Sequence, residues 1–166
     1  MRQRTLVILR HAKADRPTGV ADADRPLTER GHADAGAVGA WLATAGCRPD
    51  VVLCSPAKRT RQTWHGVAVA LAATLTPEVR YEPDLYDAGA AQALDLIRAV
   101  PPQTRALLVI GHNPTVSLLS DALDPDAERD SDGLRTSGLA VHVLDGTWAD
   151  LEPTGAALTA LHTARA

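Results

Sequence analysis

Phenylalanine is absent from these 166 residues, and aromatic residues make up only 3% of the chain. A core without large rings has to be filled by Leu, Val and Ala, whose small side chains let helices approach closely. There are two cysteines. Cys47 and Cys54 lie outside any Cys-x-x-Cys pair, and no His or Cys cluster at metal-ligand spacing surrounds them, which argues against a disulfide scaffold and structural zinc. They read as small buried side chains. No long apolar run is present either. Although Arg2 and Arg4 precede it, the first apolar run covers only Leu6 to Leu9, far short of a signal peptide or a spanning helix. Charge of one sign is equally scarce: the formal net charge is -3, the sequence pI is near 6.0, and the 17 basic residues form no tail or block. That gives no global field for nucleic acid or acidic membranes, so any anion site must be local. The expectation is a single cytoplasmic domain over residues 1–166.

Apolar runs rich in Val, Ile and Leu alternate with longer stretches of helical period, a pattern that predicts βαβ units and an α/β fold with a mostly parallel sheet. Strands are expected at Thr5 to Leu9, Val51 to Cys54, Val79 to Tyr81 and Arg105 to Ile110. A helix from near Thr28 carries Ala35, Val38, Leu42 and Ala45 on one stripe, and Gly46 stands where a helix stop belongs. A second, opened by Ser55-Pro56 as cap and first helical residue, carries Trp64, Val67, Leu71 and Leu75. Ala90 to Val100 forms another helix through Leu94 and Ile97, and a further one bears Val116, Leu119 and Leu123 after Asn113-Pro114, which repeats the cap-proline pattern. Asp124 to Gly133 reads as an exposed loop. Leu139 to Leu144 reads as a strand, and Asp145-Gly146 is a hairpin signal that would fold Thr147 to Leu151 back as an antiparallel edge strand. From Pro153 onward the chain is weakly specified.

Three of the strands run straight into chemistry: Leu6 to Leu9 into Arg10-His11, Val51 to Cys54 into Ser55-Pro56 with Arg59 following, and Leu107 to Ile110 into Gly111-His112-Asn113-Pro114. Neighbouring parallel strands would bring two arginines and two histidines together at the sheet edge where open α/β folds place ligands. Paired guanidinium donors suit the three oxygens of a phosphoryl group, helix starts add backbone donors, and a neutral imidazole can attack phosphorus to give a covalent intermediate. Taken singly, each piece has an ordinary structural reading as a salt bridge, cap or turn. Their shared position at strand ends is what points to a site. His32, His65, His142 and His162 fall in helices, an alternating strand and the tail, and read as structural or exposed.

Leu9 to Lys13 (Leu-Arg-His-Ala-Lys), Arg25-Pro26-Leu27-Thr28 with Gly31, Ser55 to Thr63 and Gly111 to Pro114 resemble, in order and spacing, the histidine phosphatase superfamily with its Arg-His-Gly signature. Within it they resemble the short phosphohistidine phosphatase branch called SixA. The resemblance implies a three-layer αβα histidine-phosphatase fold and a hydrolase in which His11 is the nucleophile, Arg10 and Arg59 bind the phosphoryl group, and His112 completes the pocket. Arg25 stands at the rim, either touching phosphate or anchoring its loop through Asp22 or Asp24. Ala12 replaces the usual glycine, a harmless change if φ stays negative there. The superfamily's general acid has no clear counterpart. Asp87 is the local candidate, ahead of Glu82 and Asp84.

An imidazole leaves a phosphoramidate more easily than an alkoxide leaves an ester, so a weak or missing acid fits phosphohistidine in a protein better than a sugar phosphate. The alternatives are a phosphatase of small phosphate esters with the same mechanism, and a phosphate-binding module that turns nothing over. No cofactor is expected, and metal hydrolysis is disfavoured because arginines beside the histidines repel a cation.

Overall fold

The computed structural model describes residues 3–71 and 76–166. Six strands form one sheet in the order β3-β2-β4-β1-β5-β6. They are β1 (Arg4–Arg10), β2 (Val51–Cys54), β3 (Glu78–Tyr81), β4 (Ala106–Gly111), β5 (Gly138–Leu144) and β6 (Ala157–Thr163). Strands β3, β2, β4 and β1 are mutually parallel, β5 runs antiparallel to β1, and β6 antiparallel to β5. Helices α1 (Glu29–Thr44), α2 (Lys58–Leu71), α3 (Asp84–Asp87), α4 (Ala90–Arg98) and α5 (Thr115–Leu123) complete the chain.

Strand alternation divides the core in two. Val7 and Leu9 of β1, Val52 and Cys54 of β2, and Leu108 and Ile110 of β4 point to one face, where Val38 and Leu42 of α1 and Val67 and Leu71 of α2 cover them. Leu6, Ile8, Val51, Leu53, Leu107 and Val109 point to the other, under Leu94 and Ile97 of α4 and Val116, Leu119 and Leu123 of α5. Both faces of the central strands are buried, which is why those strands read as unbroken apolar runs. The result is the α/β architecture of three layers, helices on both sides of a mostly parallel sheet.

Helix α1 starts where its sequence predicts, with the Thr28 hydroxyl accepting the Gly31 N–H at 3.0 Å. It ends before Gly46, whose φ of +73° only glycine adopts at little cost. Ala45 is the exposed cap residue there and lies outside the buried stripe. On α2, Val67 and Leu71 are buried and Trp64 partly so, while Leu75 lies outside the described residues. Cys54 is fully buried and Cys47 half-buried.

Besides Ala45, three expectations need correction. Helix α2 starts at Lys58, so Pro56 is not its first residue. The Ser55 hydroxyl accepts from the Ala57 N–H at 3.3 Å, forming a turn ahead of the helix. Asn113 does not cap α5, because its side chain donates to the Leu134 carbonyl and accepts from the Ser117 hydroxyl. Thr147 to Leu151 is not the returning strand either. Trp148, 1% exposed, plugs the core there and donates its indole N–H to the Thr104 carbonyl at 2.8 Å. Strand β6 makes the return instead, and it occupies the edge.

Candidate active site

Strands β2, β4 and β1 lie side by side and parallel, with Arg10 opposite Gly111 and Cys54 opposite Ile110. The residues just beyond the strand ends stay on the ladder. His11 N–H donates to the Gly111 carbonyl at 3.1 Å, and Ser55 N–H to the Ile110 carbonyl at 3.0 Å. Rigid backbone, not a free loop, therefore carries the chemistry. The rings of His11 and His112 lie 5.3 Å apart, centre to centre, tilted by 53°.

His11 is 8% exposed. Its Nδ1–H donates to the Ala12 carbonyl at 2.7 Å. Since a carbonyl only accepts, this bond fixes the proton on Nδ1 and leaves a bare lone pair on Nε2. Burial above all, opposed by the Ala12 bond and reinforced by the charges of His112, Arg59 and Arg10, pushes the ring's pKa down to about 3. The imidazole is neutral near pH 7, the state a nucleophile requires.

The backbone around it is pinned from two sides. Ala12 N–H donates to the Thr63 hydroxyl at 3.0 Å, and that hydroxyl donates to the Arg59 carbonyl at 2.7 Å, tying the His11 turn to α2. On the other side Ser137 N–H donates to the His11 carbonyl at 3.1 Å. Ser137 holds φ at 60°, an uncommon state for a non-glycine residue. Ala12 is fully buried against Leu27 and Ala35, and its φ is not positive, so its methyl is accommodated there, as expected.

His112 meets Ser55 at the end of the neighbouring strand, with Nε2 2.8 Å from the hydroxyl oxygen. Its Nδ1 is buried and has no partner. When the ring carries its proton there, the Ser55 hydroxyl donates to Nε2 and Nδ1–H is a donor held for an incoming acceptor. Burial, then Arg59, pushes the His112 pKa down to about 4, against the pull of Asp22. Tyr86 sets its ring edge-on to His112 at 5.6 Å.

The arginines are half-committed. Arg10 donates to the Leu134 carbonyl at 3.1 Å, and its buried Nε has no partner. Burial lowers its pKa from the ordinary value, yet arginine stays charged in such settings. Arg59, with an 8% exposed side chain, donates to the Asp22 carbonyl oxygen at 2.7 Å and to Oδ2 of Asp22 at 3.1 Å, while its Nε is likewise buried and unpaired. Arg25 donates to Oδ1 of Asp22 at 3.1 Å and to the Asp15 carbonyl at 2.9 Å, so it anchors the loop and adds charge near the pocket. Asp87 is exposed and makes no hydrogen bond to these residues.

The site thus contains groups that sequence reasoning passed over. Ser55 reads as a cap, but it also orients His112. Asp22, expected only as a partner of Arg25, takes donors from Arg25, Arg59 and the Tyr86 hydroxyl, the last at 2.6 Å. Thr63 lies in the Ser55 to Thr63 stretch but has no role assigned to it there, and Tyr86 is not singled out. Of the other histidines, His142 is structural: fully buried, it donates Nδ1–H to the Ala156 carbonyl at 2.9 Å and faces the Ser120 hydroxyl at 2.7 Å. His162 stacks on Trp41, and His32 and His65 are exposed. Among the described residues no cluster of three or more His, Cys, Asp or Glu could hold a metal ion, and no helix is long and apolar enough to cross a membrane.

Comparison with known proteins agrees with this geometry. Residues 6–96 match the family description of the histidine phosphatase superfamily, branch 1. An uncharacterized protein of Mycobacterium tuberculosis is 41% identical over 164 residues, covering 95% of this chain and all of its own. Among solved structures, a "putative phosphohistidine phosphatase SixA" from Nakamurella multipartitia is 35% identical with a TM-score of 0.87, covering 100% of this chain and 99% of that one. Another described in the same words, from Agrobacterium tumefaciens, is 30% identical with a TM-score of 0.78 over 96% and 97% of the two chains. The chain belongs to the histidine phosphatase superfamily, in its SixA-like branch, and is a phosphatase.

Proposed function

We propose that this chain removes the phosphoryl group from phosphohistidine in a protein, through a phospho-histidine intermediate on His11. The reading rests chiefly on one observation: the Nδ1–H of a buried, neutral His11 is bound by the Ala12 carbonyl, which leaves Nε2 free, and the ring lies 5.3 Å from that of His112 and within the influence of the Arg59 and Arg10 charges. Nε2 attacks phosphorus and the substrate's P–N bond breaks. Arg10 and Arg59 balance the charge of the phosphoryl oxygens, and His112 Nδ1–H donates to them as charge shifts in the transition state. Water then attacks phospho-His11, releasing phosphate and the neutral ring. Each preorganised donor of this kind is worth on the order of 3 kcal/mol in the barrier.

Substrate choice follows from proton supply. An alkyl ester needs a protonated acid at its leaving oxygen, and Asp22, the carboxylate bonded to Arg25 and Arg59, is held ionised: the Tyr86 hydroxyl, then Arg25 and Arg59, keep its pKa well below the usual carboxylate range. Turnover of a phosphohistidine peptide, compared with a sugar phosphate under the same conditions, tests the reading. The expected result is faster hydrolysis of the peptide, and clear preference for the sugar phosphate would replace it with a small-ester phosphatase.

A further inference from the structure

Asp22 is a carboxylate with three fixed donors and room for a fourth. Oδ1 takes Arg25, and Oδ2 takes Arg59 and Tyr86. A carboxylate offers about four acceptor positions, so one on Oδ1 is unclaimed. The donors come from three separate segments: the loop before α1, the start of α2, and α3. They hold the group ionised and in one place.

Its place is beside the histidines, since Tyr86, which donates to it, sets its ring edge-on to His112 at 5.6 Å. His11 is 8% exposed, whereas the Asp22 side chain is 54% exposed and is bonded to an Arg59 side chain that is 8% exposed. A leaving group expelled from the buried His11 departs toward solvent, and Asp22 is the open carboxylate bonded to Arg59 and to the tyrosine that packs on His112. An ionised carboxylate there has no proton to give an alkoxide, but it is well suited to accept one N–H.

The leaving imidazole of phosphohistidine presents such an N–H. If the ring nitrogen away from phosphorus is bare, P–N cleavage must expel an imidazolate anion. If it carries a proton from solvent, the electron pair of the breaking P–N bond returns to a ring that departs as neutral imidazole, its distal N–H retained. His11 solves the same problem for itself. When water cleaves phospho-His11, the ring leaves neutral because Nδ1 keeps the proton bound by the Ala12 carbonyl. The exchange is therefore balanced: a phosphoimidazolium on the substrate becomes a phosphoimidazolium on His11.

We propose that Asp22 is a specificity-determining residue whose Oδ1 accepts the distal N–H of the leaving imidazole, favouring protonated phosphohistidine and giving the site its preference for P–N over alkyl P–O bonds. The inference rests on the function proposed above and names the group that reads the leaving side chain.

The test is the ratio of kcat/KM on N-phosphoimidazole to that on 4-nitrophenyl phosphate, whose leaving group needs no proton, in wild type and Asp22→Asn. Because both rates scale with the amount of folded protein, the ratio is unaffected by partial misfolding. A lost charged hydrogen bond predicts a roughly ten- to hundredfold fall in the ratio. The phosphoimidazole rate should also decline from a lower pH in the variant, since the protonated substrate is no longer favoured. Equal losses on both substrates would overturn the inference and leave Asp22 as a positioning residue for Arg59. An unchanged ratio with no loss on either would overturn it as well. A wild type that hydrolyses phosphohistidine no faster than alkyl esters would instead defeat the proposed function itself.

Discussion

Ser55 acts on a histidine it does not neighbour in sequence, and its effect is measurable. Ser55→Ala removes the hydroxyl opposite Nε2 of His112, so the ring loses the hydrogen bond that holds its orientation. Turnover should fall about three- to tenfold, the worth of one neutral hydrogen bond, with KM little changed. Steady-state kinetics on the phosphohistidine peptide checks this, and a loss confined to KM would contradict it. Arg59→Ala should be far harsher, about a hundred- to thousandfold in kcat, because in the proposed mechanism it deletes a donor to the charge that develops on the phosphoryl oxygens. The contrast shows what single residues reveal beforehand. Arg10, His11, Arg59 and His112 were legible because each follows an apolar strand or opens the helix after one. Asp22 was legible only as an Asp three residues before an Arg. Its contacts with Arg59, 37 positions on, and with Tyr86, 64 positions on, depend on folding that no local pattern encodes.

Helix α1 meets α2 at glycines. A Cβ on Gly39 would run into the Val67 carbonyl oxygen, whereas a Cβ on Gly36, on the same helix, would meet nothing within 4 Å. Gly36→Ala should therefore stabilise the protein by about 0.5–1 kcal/mol through helix propensity alone. Gly39→Ala gains the same propensity but must push backbone apart, and overpacking of about 1–3 kcal/mol outweighs it. Urea midpoints should move in opposite directions, and a stabilising Gly39→Ala would refute the close approach. Elements that bury both faces were readable from apolar runs alone, as β1, β2 and β4 were. Strand β6 was not. It alternates between exposed and half-buried positions, its Ala and Thr give a weak signal, and the Asp145-Gly146 turn signal ahead of it leads into a Trp148 plug.

At the scale of the molecule, burying neutral histidines makes the fold sensitive to acid. His11 is pushed to about 3 and His112 to about 4, and burial lowers His142 as well. Above pH 6.5 the folded and unfolded chains hold the same protons at these rings. As pH falls from there toward 4, the unfolded chain takes up protons that the folded one refuses, so stability falls. Each such histidine contributes up to about 1.4 kcal/mol per pH unit. Asp22 acts in the same direction at lower pH, since its carboxylate is held ionised in the fold. The urea midpoint should drop between pH 7 and pH 5, and the drop should shrink in His11→Asn. An equal drop in both would contradict the assignment of a neutral, buried His11.

The proposed turnover runs through phosphorylation of one imidazole. Rapid quenching of turnover with a radiolabelled phosphohistidine peptide, followed by peptide mapping, tests it directly. The prediction is an acid-labile, base-stable label on His11 that forms and decays within a turnover, with neither label nor turnover in His11→Asn. Sustained turnover by His11→Asn, or wild-type turnover that passes through no labelled His11, would contradict it.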